Sequence, residues 1–267
     1  MSEIQIDLVL PAGHTIAVRV VGSGRPIMLV HGFPLDATIW RKQFDPLVQR
    51  GFQVIAPDLR GFGNSSPIDG HITLGDFADD LQHVKTVLAS DRPIAIVGLS
   101  MGGYIAFEYW KRYGNSLERL ILTNTKPGVD TNEARQARLT MAERVLQGTT
   151  WDAVGPMLPR LLSARSLEHD PETTQWIKAM MSQVPPKTIA AAQRAMAERH
   201  DFSLELPAIQ IPTLVIAGQD DPISPPEENK RWAAQIKNAS LEIIPGAGHL
   251  PQVENSESFN RALLGFL

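Results

Sequence analysis

Cysteine is absent from this chain, so disulfides, a thiol nucleophile and thiolate metal ligands are all excluded. A basic surplus is missing too: 25 Lys and Arg stand against 29 Asp and Glu, for a formal net charge of −4. That balance argues against nucleic acid or an anionic membrane as the main partner. No apolar run approaches the roughly 20 residues that cross a bilayer. The opening residues, Met1-Ser2-Glu3-Ile4-Gln5-Ile6-Asp7, have neither the basic start nor the apolar centre of a signal peptide. A soluble, cytoplasmic protein is the expectation. No close pair of histidines has ligand spacing such as H-x-x-x-H, so neither a metal nor an organic cofactor is expected.

What is present has the proportions of an ordinary globular protein, 43% hydrophobic and 20% charged residues. A length of 267 residues suffices for one domain carrying an insertion. Up to about residue 124, strand and helix patterns alternate. Strands are expected near 4–10, 15–21, 26–31, 52–57, 93–98 and 118–123, the first two as a hairpin around Pro11-Ala12-Gly13-His14. Helical patterns cover 36–50, 73–90 and 100–113. This alternation implies a mostly parallel sheet covered on both faces. Residues 207–267 add two strands and two helices. Between these parts, residues 125–206 lose every strand pattern. Four helical stretches are expected there, near 131–147, 151–163, 171–183 and 186–199, separated by Gly148-Thr149-Thr150, His169-Asp170-Pro171 and Pro185-Pro186.

The most informative stretch is 93–113. The run Ile94-Ala95-Ile96-Val97 breaks into Gly98-Leu99-Ser100-Met101-Gly102, and a helical pattern follows at once. Such a strand–turn–helix places a serine at a strained apex with its hydroxyl projected out of the sheet, and glycines let strand and helix approach. By itself G-x-S-x-G also describes a serine that caps a helix after a buried strand. Residues further along the chain decide between the two.

A serine hydroxyl needs a neighbouring base, itself oriented by an acid. The segment Leu241-Glu242-Ile243-Ile244 runs into Pro245-Gly246-Ala247-Gly248-His249-Leu250-Pro251, which presents a histidine beyond a strand end. Upstream, Thr213-Leu214-Val215-Ile216-Ala217 ends in Gly218-Gln219-Asp220-Asp221-Pro222, an acidic pair just past another strand. Serine, acid and histidine thus follow in order, each at the carboxyl end of a strand. Acyl transfer also needs N–H donors for an oxyanion. Met101 offers one at the helix start, and Phe33, in His31-Gly32-Phe33-Pro34 after the run Pro26-Ile27-Met28-Leu29-Val30, offers a second. His31 reads better as a brace for that loop than as a catalytic base.

Taken together, these segments and Asp58-Leu59-Arg60-Gly61-Phe62-Gly63-Asn64-Ser65 resemble the α/β-hydrolase superfamily over essentially the whole chain. Within it, the chain is most similar to small bacterial serine carboxylesterases and to 3-oxoadipate enol-lactonase-like hydrolases. The resemblance implies an α/β-hydrolase core, residues 1–124 and 207–267, built on a mostly parallel eight-stranded sheet flanked by helices. It implies a helical cap, residues 125–206, inserted after the sixth strand. Ser100 becomes the nucleophile, His249 the base, Asp221 its orienter, and Phe33 and Met101 the oxyanion hole. Similar enzymes read Gly-x-x-Asp, which counts from Gly218 to Asp221. Pro222 favours an extended chain there, leaving Asp220 to face solvent.

The implied activity is cleavage of small-molecule carboxylic esters or lactones through an acyl-enzyme, with no cofactor. Trp151, Met157, Leu158 and Leu161, with Trp176, either line the substrate pocket or pack the cap against the core. Haloalkane dehalogenases and soluble epoxide hydrolases share the architecture but place aspartate where this chain has Ser100. Carbon–carbon bond hydrolases keep the serine with a different glycine-rich oxyanion loop. A small-molecule receptor with a retained triad is a further alternative, and perhydrolysis is a common side reaction in similar esterases.

Overall fold

In a computed structural model of the chain, residues 3–90 and 92–267 are described. Met1 and Ser2, at the head of the N-terminal stretch considered above, and Asp91 lie outside them. The apolar runs form β1 (Ile4–Val9), β2 (Thr15–Val21), β3 (Arg25–Val30), β4 (Phe52–Pro57), β5 (Ile94–Leu99), β6 (Leu117–Thr123), β7 (Thr213–Gly218) and β8 (Ala239–Ile244). They make one eight-stranded sheet in the order β1-β2-β4-β3-β5-β6-β7-β8. Only β2 runs against its neighbours; every pairing from β4 to β8 is parallel. Parallel strands are joined by helices that cover both faces, so β5 and β7 are buried at every residue.

Outside the segment between β6 and β7, the helices are α1 (Arg41–Gln49), α2 (Leu74–Ala89) and α3 (Met101–Tyr113), then α10 (Pro226–Ala233), α11 (Pro251–Glu254) and α12 (Ser256–Phe266). A 3-10 turn, Ala37–Trp40, leads into α1 and packs Trp40 against Phe259 of α12, with ring centroids 6.1 Å apart. On the opposite face Phe107 of α3 meets Trp232 of α10. Thr73 and Asp76 close a capping box at the start of α2, where the sequence pattern begins. Pro46 lies inside α1 and leaves the Lys42 carbonyl without its helical donor; Asn260 of α12 supplies an N–H to it at 3.0 Å. The C-terminal part holds three helices where two were expected, because Asn255 caps a fresh start at Ser256 and divides α11 from α12.

Among the described residues the segment between β6 and β7 contains helices and no strand: α4 (Asn132–Val145), α5 (Thr150–Val154), α6 (Leu158–Leu161), α7 (Ala164–His169), α8 (Pro171–Gln183) and α9 (Pro186–Ala197). The expected helix over 151–163 is broken at Gly155 and Pro156, which pass through a 3-10 turn. The short α7 was not expected. Its start is fixed by Ser163, whose side chain accepts the Ser166 N–H. No helix among the described residues is long and apolar enough to cross a membrane.

The two ends of this helical segment are tied together where they leave the sheet. Phe202 N–H donates to the Pro127 carbonyl at 3.0 Å, and the Phe202 ring stacks on Phe107. Arg199 lies over the Tyr104 ring and donates to Gly128 O and to both carboxylate oxygens of Asp130. Arg138 of α4 also donates to Asp130. Asp130 and Arg199 side chains are each 3% exposed, so water screens this pair little. Burial alone would raise the Asp130 pKa, but the hydrogen bonds from Arg199 and Arg138 outweigh it and hold the carboxyl well below its ordinary value of 3.8.

A carboxyl held low stabilises the fold fully above its ordinary value, and that contribution is lost as pH falls through the folded one. Asp130→Asn should therefore cost about 3–5 kcal/mol at neutral pH, since it leaves buried Arg199 without its partner charge. Chemical denaturation checks this. The gap between wild type and variant should narrow as pH drops below about 4. A gap that stays constant down to acid would show that the pair contributes nothing through its charge.

Candidate active site

The carboxyl ends of β3, β5, β6, β7 and β8 converge on one edge of the sheet, where a switch in strand order places ligand crevices in folds of this type. At the end of β5, Ser100 has φ +53° and ψ −112°, a conformation that costs a non-glycine residue on the order of 1–3 kcal/mol. Neighbours hold it there. Its N–H donates to the Thr123 carbonyl at 2.9 Å, and its carbonyl accepts from Gly103 N–H and from Thr125 Oγ1 at 2.8 Å. Ser100 Oγ, by contrast, forms no hydrogen bond among the described residues. Space explains the flanking glycines: a Cβ on Gly98 would run into the Gly102 carbonyl, and one on Gly102 would stand 2.7 Å from the His31 carbonyl.

The loop after β3 presses on this turn, since a Cβ on Gly32 would sit 3.2 Å from Ser100 Cβ. The backbone N–H groups of Phe33 and Met101 form no hydrogen bond among the described residues, so two amides beside the serine are unengaged. His31 braces the loop. Buried completely, it donates from Nδ1 to the Gly32 carbonyl at 2.9 Å and accepts the Leu59 N–H on Nε2 at 3.0 Å. That bonding requires the neutral ring, in keeping with a pKa lowered by burial. Asp58 secures the other side of the loop by accepting from Ala37 N–H and Asn64 N–H, and burial pushes its pKa up.

Past β8, His249 is 2% exposed, and its Nδ1 lies 2.8 Å from Asp221 Oδ2. Asp221 Oδ1 accepts the Ile223 N–H at 2.8 Å, so the carboxylate is fixed at both oxygens. Asp220 points out to solvent, and its N–H is bonded to the Ala247 carbonyl. With a hydrogen on Nδ1 shared with the carboxylate, the neutral imidazole offers Nε2 as the proton acceptor.

Two residues that sequence reasoning passed over join these parts. Asn124, at φ +43°, donates from Nδ2 to the Gly248 carbonyl and accepts the Gly218 N–H on Oδ1 at 2.8 Å. One side chain thus bridges the loops that carry Asp221 and His249. Its neighbour Thr125 bonds Ser100 O, so consecutive residues reach the serine turn and the histidine loop. The only signal in the sequence is a polar pair directly after the β6 apolar run, which many turns share.

The helical segment reaches three of the loops around this edge. Asp36 N–H points to Met180 Sδ of α8, Thr188 of α9 donates to the Gly61 carbonyl, and His249 N–H donates to the Leu161 carbonyl at 3.1 Å. Leu161 is therefore brought beside His249. Leu158 is buried in the shared core and Met157 partly so. The Trp151 ring packs on Gly155 with Lys178 above it, contacts that stay within the helical segment. Trp176 is capped by Arg41 of α1 at 3.8 Å. An open groove of about 680 Å³ along α4 does not include Ser100 among its lining residues. No cluster of three or more His, Asp or Glu side chains is placed to hold a metal ion among the described residues.

An eight-stranded, mostly parallel sheet with a strained serine turn after β5 defines a class of hydrolase-like α/β proteins. The profile of the alpha/beta hydrolase fold matches residues 25–256, and the chain belongs to that family. A Bacillus subtilis protein of the AB hydrolase superfamily, YisY, is 31% identical over 94% of this chain and 95% of its own length. A non-heme chloroperoxidase from Kitasatospora aureofaciens is 31% identical, with 92% of this chain and 93% of that protein covered. Among solved structures, a thermophilic esterase from Thermogutta terrifontis superposes with a TM-score of 0.92 at 40% identity, covering 99% of this chain and 97% of that one.

Asn124→Gly keeps the backbone angle and removes only the amide. Because it leaves Gly248 O and Gly218 N–H buried without partners, unfolding by denaturant should show a loss of about 2 kcal/mol or more. A loss below about 0.5 kcal/mol would mean the bridge carries no weight.

Proposed function

We propose that this protein hydrolyses carboxylic esters or lactones of small molecules through an acyl-enzyme on Ser100. The observation that carries the reading is the buried Asp221–His249 pair, standing at the same sheet edge as a strained serine with an unbonded hydroxyl. In the proposed acylation, His249 Nε2 takes the Ser100 Oγ proton as Oγ attacks the carbonyl carbon. Asp221 keeps the hydrogen on Nδ1 and stabilises the imidazolium that forms. Hydrogen bonds of this kind tighten once substrate is bound. The free N–H groups of Phe33 and Met101 are the proposed donors to the developing oxyanion, where one such donor is worth about 3 kcal/mol. Collapse of the tetrahedral intermediate breaks the C–O bond, and the imidazolium protonates the departing alkoxide. Water, deprotonated by the same imidazole, then releases the acid.

Residues 125–206 are proposed to be a cap, since their bonds to the loops at Asp36, Gly61 and His249 arch over the serine edge. Such a cover excludes water and shapes the acyl pocket. Leu161, whose carbonyl accepts the His249 N–H, is the proposed lining residue beside the chemistry; Leu158 and Met157 are proposed to continue that lining, and Trp151 is assigned to packing. The relative named as a chloroperoxidase favours a second reading of the same site. Hydrogen peroxide attacking the acyl-enzyme in place of water would release a peracid and return the serine.

Ser100→Ala should lower turnover of p-nitrophenyl esters by on the order of a millionfold. Retention of a tenth of wild-type turnover would remove the serine from the mechanism.

Asp221→Asn should cost about four orders of magnitude, through loss of charge and a wrong imidazole tautomer. Asp220→Asn, a change at a solvent-facing carboxylate, should cost less than about tenfold. Reversed effects would move the acid by one residue.

A further inference from the structure

The loop that carries His249 is not held by β8 alone. Three consecutive backbone N–H groups, those of residues 248–250, are all engaged. His249 N–H goes to Leu161 O, while Gly248 N–H at 2.8 Å and Leu250 N–H at 3.4 Å both go to Oε1 of Glu254. The second carboxylate oxygen of Glu254, Oε2, turns towards the helical segment. There it accepts the Ser163 N–H and the Ser166 hydroxyl, each at 2.7 Å. The fit is close, since a Cβ on Gly248 would stand 2.7 Å from Ser163 N.

We propose that Glu254 is a positioning residue: its two oxygens fasten the histidine loop to the Leu161–Ser166 stretch and so set where the imidazole stands relative to Ser100. The inference rests on His249 acting as the base, as read above. Asp221 fixes the ring at Nδ1 only, and a ring held at one nitrogen can pivot about that contact. The amides on either side of His249 determine the remaining freedom, and Glu254 holds both. The helical segment is thereby not a free lid at this end, because lifting it would pull on the Gly248–Leu250 backbone.

Leaving-group dependence separates positioning from general damage. With an alkyl ester, the proton taken from Ser100 Oγ must pass from His249 Nε2 to the alkoxide oxygen as the C–O bond breaks. p-Nitrophenolate leaves without that proton. A base displaced by a fraction of an ångström is therefore penalised more on ethyl butyrate than on p-nitrophenyl butyrate, although both form the same butyryl-enzyme. A partly unfolded enzyme would lose equally on both.

The test measures kcat/KM on the two esters for wild type, Glu254→Gln, Ser166→Ala and Ser100→Ala. Glu254→Gln should lose about 100-fold on ethyl butyrate, the scale of a misplaced catalytic group, and about tenfold or less on p-nitrophenyl butyrate. Ser166→Ala removes one bond on the helical side and should show the same preference at about threefold to tenfold. It decides the question if Glu254→Gln does not fold. Equal losses on both esters, or none, with Ser100→Ala inactive, would overturn the positioning role alone. An active Ser100→Ala would overturn the serine mechanism itself, and the positioning role with it.

Discussion

The close approach of α3's first turn to the loop after β3 governs everything at the active edge. Gly102 and Gly32 admit it and Gly98 admits the return of α3 on β5, for a side chain at any of them meets backbone at or inside van der Waals distance. Through that approach Ser100 is driven to φ +53° while Phe33 and Met101 bring their N–H groups alongside it. The strain is tolerated because Thr123, Gly103 and Thr125 bind the serine's own backbone, and His31 and Asp58 bind the opposing loop from behind. Side-chain chemistry at this edge therefore depends on backbone packing a few residues away.

A second constraint comes from the helical segment, which meets the core through polar clamps as well as apolar contact. Its stem is closed by the buried Asp130–Arg199 pair and its far side by Glu254. Between these, Met180 and Thr188 touch the Asp36 and Gly61 loops. A segment fastened at several loops restrains the positions of those loops, which is how pre-organisation is maintained.

Much of this was legible in the residues themselves. Strand positions follow from β-branched runs bounded by glycine and proline, and a parallel sheet follows from the helices between them. Strand alternation lets only one of Asp220 and Asp221 face the histidine, the Gly-x-x-Asp pattern of similar enzymes counts to Asp221, and the structure puts the Asp221 carboxylate 2.8 Å from His249. The break at Gly155-Pro156 and the short α7 escaped because helical periodicity continues through a 3-10 turn that local caps interrupt. Asn124 and Glu254 escaped for a different reason. The partners of Asn124 and of Glu254 Oε2 lie about 90 residues or more away in the chain, and neither an asparagine after a strand nor a glutamate in a helix announces such a distant partner. For Trp151 the residues alone leave pocket lining and packing both open, and its contact with Gly155 is one that no spacing rule reports.

Ser100 Oγ is the proposed nucleophile of acyl transfer, activated by its place at this edge. Labelling with a fluorophosphonate, followed by peptide mapping in a mass spectrometer, tests it most directly, because phosphonylation needs both an activated hydroxyl and donors for the phosphoryl oxygen. The account predicts one phosphonyl group per chain, on Ser100, with ester hydrolysis falling in step with its incorporation. Modification at another residue, or hydrolysis that persists after Ser100 is fully labelled, would contradict it.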